Sequence, residues 1–424
     1  MPDDRFETPT GVLTLRRPGQ DERSPLQAWD AADSYALDHL AAGSDAGIAD
    51  GDGAGGVAAS AQDGDWLRCL VVNDAFGAVA LALARAGETA GPAAADDRRI
   101  WSWSDSAVAH DALAANAAAN DIDAMAVVPI AGLAGTEAAL GIDLVIVKIP
   151  KSLALLEHQL CELSAVVDSG TTVVGAGMTR HIHTSTIELF ERILGPSRTT
   201  LARRKARLIL TDVAADLEPT ASPYPSSFVV DADTVADGTG EGLVVWNHAG
   251  VFSQRRLDIG TRFLLESLPP LDGPLQVVDL GCGNGVVGAV VARRDPEATV
   301  AFVDESAAAI ASAELTWNAA VAEAAHPPAR FVRADAGAGP VDGIEDGSVD
   351  VVVLNPPFHD QQAVAVAAGR SLIAAAHRML APGGRLIVVA NRHLGHHVTM
   401  RRLFGSSDVI ASNAKFVVMA ATRR

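Results

Sequence analysis

The chain has 424 residues, 49% of them hydrophobic and 20% charged, and a formal net charge of −19 at pH 7. That length is too great for one ordinary core and suits two domains. The acidity excludes strong global steering toward a polyanion. No apolar run approaches the roughly 18 residues of a membrane helix. The 3 cysteines, odd in number and widely spaced, give no disulfide framework or zinc site. Met1 to Glu7 is charged and lacks an apolar signal region, so a reducing cytoplasm is the expected location.

In chain order, Gly43 to Gly64 is rich in Gly, Ala and Asp and reads as a mobile loop, as does Glu88 to Arg99. The strand-like Val71-Val72 runs into Asn73-Asp74-Ala75-Phe76-Gly77, and Leu144 to Val147 runs into Lys148-Ile149-Pro150-Lys151. Cys69 and Cys161 read as small core residues. From Arg180 to Arg207 the charge reverses: Arg180, Arg192, Arg198, Arg203, Arg204, Lys205 and Arg207 stand against Glu188 and Glu191. With Thr199 and Thr200 this is either a phosphate-gripping surface or a solvated helix face. The Pro- and Thr-containing run Thr211 to Pro225 signals a linker. Domains of 1–216 and 217–424 are expected.

The second half opens with two strand-like runs, Ser227–Val230 and Gly242–Trp246, which suit a hairpin. Leu275 to Val278 then enters Asp279-Leu280-Gly281-Cys282-Gly283-Asn284-Gly285, followed by the helix-compatible Val286 to Arg293. Glycines at a strand-to-helix turn let the backbone approach a ligand. Cys282 is placed to touch that ligand through its backbone. Thr299 to Asp304 is a strand ending in an acid, placed where a carboxylate can take both hydroxyls of a ribose; a helix N-cap is the other reading. Phe331 to Asp335 offers a second acid, and Ala336 to Gly347 reads as a further mobile loop.

Val349 to Leu354 reads as a buried parallel strand entering Asn355-Pro356-Pro357-Phe358. The Asn oxygen and a Pro-side carbonyl can accept the N–H bonds of a planar amine, while Phe358 covers its ring. The two prolines stiffen the turn and remove competing donors. His359 either orients the base or caps the next helix. Arg392, Arg401 and Arg402 form a smaller basic group; no acid or cysteine completes a metal set with His393, His396 and His397, so no metal is expected. From residue 241 onward about 16 Lys and Arg face about 18 Asp and Glu, so most of the acidity lies in the first half.

The two halves repeat. Val71 to Gly77 aligns with Val277 to Gly283, and Lys148 follows Asn73 by about the interval that separates Asn355 from Asp279. Thr171 to Ala176 matches Arg385 to Ala390. Matching order at matching intervals is the mark of duplication. In this alignment only Gly77 survives of the three glycines, and Phe76 fills the ligand's path. Lys148 cannot accept amine hydrogens.

These strand ends together resemble class I S-adenosylmethionine-dependent methyltransferases over about residues 245–424. N-P-P-F followed by His359, the segments Val251-Phe252-Ser253 and Leu257 to Thr261, and the duplicated first half are similar to bacterial ribosomal RNA guanine-N2 methyltransferases. The resemblance implies an α/β chain of two tandem Rossmann-like domains, the first degenerate and bearing RNA. It implies that Asp279, Gly281, Cys282, Gly283 and Gly285 cradle the methionine part of S-adenosylmethionine, that Asp304 takes the ribose, and that Asp335 takes the adenine amine. Asp258 lies near the cofactor. Asn355, Pro356, Pro357 and Phe358 carry the transfer; His359, Arg203, Arg204, Lys205 and Arg207 meet the RNA. The large-subunit type is favoured over the small-subunit type by Val251 to Thr261 and Pro150 to Glu157. The implied partner is ribosomal RNA or a ribosomal subunit, met by a monomer with no membrane. Adenine-N6 or protein-glutamine methylation, and a non-enzymatic RNA-binding assembly factor, remain open.

Overall fold

A computed structural model describes residues 4–19, 26–42, 68–89, 98–123, 125–136, 141–271, 273–321, 326–357 and 362–424. The chain divides into two compact units, Met1–Pro223 and Tyr224–Arg424. The segment after Glu218 belongs with the first unit because its polar atoms are satisfied there: Thr220 N–H donates to Ser164 Oγ at 2.8 Å, and Ser222 Oγ lies 2.9 Å from His158 Nδ1. The loop expected over 43–64 and residues 90–97 of the second lie outside the described residues. No described helix is long and apolar enough to cross a membrane.

The first unit begins with a hairpin, β1 (Arg5–Thr8) and β2 (Gly11–Thr14). Its main sheet holds β3 (Arg68–Val72), β4 (Arg99–Trp103), β5 (Val127–Ile130), β6 (Leu144–Lys148), β7 (Thr172–Met178), β8 (Ser197–Thr199) and β9 (Ala206–Thr211). Their order is β5-β4-β3-β6-β7-β9-β8. All neighbours are parallel except β9, which runs against both β7 and β8. Parallel strands covered by helices on both faces are apolar throughout. Accordingly Cys69 and Val71 join the cluster on one face, while Leu70 and Val72 join the cluster on the other.

The second unit repeats the plan. The expected hairpin forms from β10 (Ser226–Val230) and β11 (Leu243–Asn247), pairing Ser227 with Trp246. The sheet holds β12 (Gln276–Leu280), β13 (Thr299–Asp304), β14 (Arg330–Arg333), β15 (Val349–Leu354), β16 (Leu380–Asn391), β17 (Asp408–Ser412) and β18 (Phe416–Thr422). Its order, β14-β13-β12-β15-β16-β18-β17, is that of the first sheet strand for strand. Strand order reverses at β12, between β13 and β15, which is where open α/β sheets bind ligands. Ala336 to Gly347 has no regular helix or strand, but it is packed rather than loose. Ala336, Val341 and Ile344 are buried, and the Arg378 guanidinium donates to the carbonyls of Ala336 and Gly339.

Strand register corrects the alignment of the two halves. Asn73 N–H donates to Trp103 O at 2.8 Å, and Gly281 N–H donates to Val303 O at 2.8 Å. Val72 pairs with Val147 as Leu280 pairs with Leu354. Asn73 is therefore the counterpart of Gly281, Gly77 of Gly285, and Lys148 of Asn355, two residues away from the sequence alignment at the glycine turn. Backbone angles agree: φ is 62° at Asn73 and 80° at Gly77, against 68° at Gly281 and 73° at Gly285. Phe76 does not line up with the turn's cysteine. It packs on the cluster holding Phe6, Leu81 and Leu113, with the Arg17 guanidinium 4.8 Å from its ring centre.

Candidate functional site

The glycine turn after β12 has three positive φ values, 68° at Gly281, 53° at Gly283 and 73° at Gly285. They serve two purposes. A Cβ at Gly281 or Gly283 would meet no atom within 4 Å, so these two residues open a cradle, whereas one at Gly285 would come 2.7 Å from Ala313 Cα. Gly285 thus admits the helix Ala307–Val321, and Gly281 and Gly283 leave open space beside the turn. Cys282 between them is 6% exposed, and burial pushes its thiol well above the ordinary value.

Two carboxylates support the turn from beneath. Asp279 Oδ2 accepts from Gly288 N–H at 2.8 Å. Burial pushes its pKa up to about 7, with the nearby Asp304 adding to the effect. Asp304 Oδ2 accepts from Gly283 N–H at 2.9 Å and Oδ1 accepts from Ser306 N–H at 3.0 Å. The capping of the following helix falls to Ser306, whose Oγ accepts from Ala309 N–H at 3.0 Å. Asp335 stands beyond β14 and closes its own turn through Gly337 N–H at 2.9 Å. These are the strand ends on which sequence placed the adenosine contacts.

Asn355 follows β15 at the same edge. Its Nδ2 donates to Thr261 Oγ1 at 2.8 Å. Its Oδ1 is buried and has no hydrogen-bond partner among the described residues. Pro356 is buried and Pro357 exposed; Phe358 and His359 lie outside the described residues. Thr261 sits in the first turn of the helix Ile259–Ser267. Asp258 is that helix's N-cap, accepting from Gly260 N–H at 2.8 Å and Thr261 N–H at 3.0 Å. Asp258 thus enters the site through the helix end that presents Thr261.

The corresponding edge of the first unit is closed by its own side chains. Asn73 donates to Lys148 O at 3.0 Å and exchanges amide hydrogen bonds with Gln159 at 2.8 and 2.7 Å. Lys148 Nζ lies 3.1 Å from Asp30 Oδ1 and also pairs with Asp33. Burial opposes its charge, but Asp33 and Asp30 outweigh that and hold its pKa above the ordinary lysine value.

The basic run divides on the surface of that unit. Arg192 pairs with Glu157 at 2.6 Å and Arg198 with Asp212 at 2.9 Å. Arg203, Arg204 and Lys205 are exposed and have no acid partner among the described residues. They form the tip joining β8 to β9, where Arg203 and Ala206 exchange backbone hydrogen bonds of 2.9 and 2.8 Å. Arg204 and Lys205 take φ of 48° and 66°, positions in a two-residue hairpin that ordinarily fall to Asn and Gly. The Arg203 guanidinium lies 5.0 Å from the Tyr35 ring centre, and Arg207 is half-buried beside them.

Comparison with known proteins decides the family. Residues 242–420 match the model for the methyltransferase small domain, and residues 3–215 match the model for the RLMG N-terminal domain. The ribosomal RNA large subunit methyltransferase G of Streptomyces avermitilis is 43% identical over 99% of this chain and 100% of its own length. Its counterpart in Pseudomonas aeruginosa is 40% identical over 98% and 99%. The chain belongs to the ribosomal RNA large subunit methyltransferase G family. Among solved structures, a Thermus thermophilus 16S rRNA N2 methyltransferase in complex with AdoMet and guanosine superposes with a TM-score of 0.69 at 21% identity, covering 99% of this chain and 97% of that one. At that identity the likeness speaks for the fold, two tandem methyltransferase-type α/β domains.

Three polar residues of this methyltransferase site escape a reading of the sequence. Thr261 lies within a segment that carries the family resemblance, but no role of its own is legible there. Asn247 and Asn284 are both buried, and Asn284 Nδ2 donates to Asn247 Oδ1 at 2.9 Å, tying β11 to the glycine turn. An Asn in a glycine turn is a visible signal; its partner, 37 residues away, is not.

Proposed function

We propose that this chain transfers a methyl group from S-adenosylmethionine to the exocyclic N2 of a guanine in large-subunit (23S) ribosomal RNA. The observation that carries the reading is the Asn355 oxygen, buried and without a partner among the described residues, with its amide nitrogen already engaged by Thr261. A buried acceptor without a partner costs about 1–3 kcal/mol, so it marks a place where a donor belongs. The full-length relatives, large-subunit methyltransferases by name, support the RNA and its subunit. The solved Thermus neighbour, an N2 methyltransferase holding AdoMet and guanosine, supports an N2 target and this cofactor.

When bound, S-adenosylmethionine supplies a methyl group on a sulfonium. The chain's residues do the rest. The backbone at Gly281 and Gly283 leaves room for the methionine part, with Asp279 and Cys282 in the turn's base. Asp304 takes the ribose hydroxyls and Asp335 the adenine amine. The guanine amine is a poor nucleophile because its lone pair is delocalised into the ring. Hydrogen bonds from it to Asn355 Oδ1 and the Pro356 carbonyl favour a pyramidal nitrogen as the N–C bond forms and the C–S bond breaks. Pro357 stiffens the turn; the stacking role expected of Phe358 and the base-orienting role expected of His359 belong to residues outside the described ones. The amine proton leaves to solvent after transfer. The target base must leave its stack to enter. In the first unit, Arg203, Arg204, Lys205 and Arg207 meet phosphate; a strained tip bearing cations in place of Asn-Gly is an arrangement kept at functional positions. The enzyme works as a cytoplasmic monomer.

Methyl transfer from labelled S-adenosylmethionine to purified 23S and 16S RNA and to separate subunits, followed by nucleoside analysis, tests this reading. Labelled N2-methylguanosine in 23S RNA is expected. Label in 16S RNA, on adenosine or on protein would overturn it.

A further inference from the structure

The polar pair at the active edge has a counterpart at the closed edge. In each unit an Asp caps the helix that packs on the sheet's fifth strand and its antiparallel neighbour: Asp258 before Ile259–Ser267, and Asp30 before Ala31–Ala41. Three residues after the cap stands a buried polar side chain, Thr261 at 6% exposure and Asp33 at 5%. Each reaches the residue at or just beyond the end of the fourth strand: Thr261 to Asn355 at 2.8 Å, and Asp33 to Lys148. One scaffold therefore carries two chemistries. In the first unit the two side chains form an ion pair. In the second a neutral hydroxyl engages only the nitrogen end of an amide, and the oxygen end is left without a partner among the described residues.

A terminal amide has two nearly isosteric orientations, and the hydrogen bonds around it choose between them. If the Asn355 nitrogen faced the target amine, donor would meet donor and the site would repel its substrate. Thr261 Oγ1 accepts from the nitrogen and so favours the orientation in which Oδ1 faces the ligand. The backbone that carries the hydroxyl is itself held, its Thr261 N–H donating to Asp258 Oδ2 at 3.0 Å. We propose that Thr261 is a positioning residue for methyl transfer, acting through the orientation of the Asn355 amide. This rests on the reading of Asn355 as the acceptor of the amine hydrogens.

The test compares wild type, Thr261→Val, Thr261→Ser and Asn355→Ala, and the double variant Thr261→Val with Asn355→Ala, using full-length protein and 23S RNA. Cofactor affinity is followed by calorimetry and folding by thermal unfolding. Thr261→Val keeps the shape and removes the acceptor. It is expected to lower kcat roughly tenfold to a hundredfold, the scale of a misoriented catalytic group. The KM for RNA and the affinity for S-adenosylmethionine should change little, and Thr261→Ser should recover most of the loss. In the Asn355→Ala background, Thr261→Val should cost nothing further, because both changes remove one interaction. A full rate for Thr261→Val would overturn the proposal, as would additive losses in the double variant. Loss of rate matched by loss of folding in Thr261→Val but not in Thr261→Ser, with additive behaviour, would assign Thr261 to packing alone. A wild type that methylates no RNA would overturn the substrate reading first and this inference with it.

Discussion

At the scale of single residues, the site keeps two carboxyls in unlike surroundings. Asp304 is half-buried and accepts two backbone hydrogen bonds, while Asp279 is sealed beneath the turn and its pKa is pushed up to about 7 by burial. For a carboxyl raised on folding, the folded state favours the proton. Its penalty is absent below the unfolded value near 4, grows as pH rises, and is complete above about 7. Asp279→Asn keeps an acceptor for Gly288 N–H and removes that titration. The variant's melting temperature should therefore gain on wild type between pH 4 and pH 7, measured by calorimetry with no cofactor added. A constant difference across that range would contradict the assignment. Asp74 in the first unit, raised to about 6 by burial, sets a second window of the same sign.

At the scale of elements, the strand-to-loop junctions were legible because their residues are unusual. Glycines before a helix, an acid after a strand and N-P-P-F each limit what the backbone can do. The register between the halves was not legible. Val71-Val72 and Val277-Val278 are interchangeable as apolar strand residues, and only strand pairing and the left-handed backbone at Asn73 and Gly281 mark the matching position. Nor was the contact between Thr261 and Asn355, 94 residues apart, or the pairing of Lys148 with Asp33. The second has a direct test. Lys148→Ala leaves two acids without their cation and should destabilise the first unit by about 3–5 kcal/mol. Replacing Asp33→Thr and Lys148→Asn together copies the neutral pair of the second unit and should cost clearly less. Urea unfolding followed by circular dichroism reads both; equal midpoints for the single and double variants would contradict the shared scaffold.

At the scale of the whole molecule, a chain of net charge −19 must meet RNA through local patches rather than through its overall field. Arg204 and Lys205, exposed at the hairpin tip, are the patch proposed for that contact. Arg204→Ala and Lys205→Ala should each weaken binding to 23S RNA and flatten its dependence on salt, by about 0.7–0.9 in log–log slope for every phosphate no longer neutralised. The rate at saturating RNA should stay unchanged. An unaltered salt slope would remove the tip from the interface. The duplication itself was legible from order and interval, and the common strand order of the two sheets bears it out. On the proposed reading, the division of labour between the halves rests on the residue at the end of the fourth strand, a lysine neutralised within its own unit or an asparagine whose oxygen has no partner among the described residues. The most direct measurement of that claim is single-turnover methyl transfer to 23S RNA by Asn355→Ala, with cofactor affinity measured alongside. A loss of about a hundredfold or more at unchanged affinity for S-adenosylmethionine is expected. A wild-type rate would contradict it.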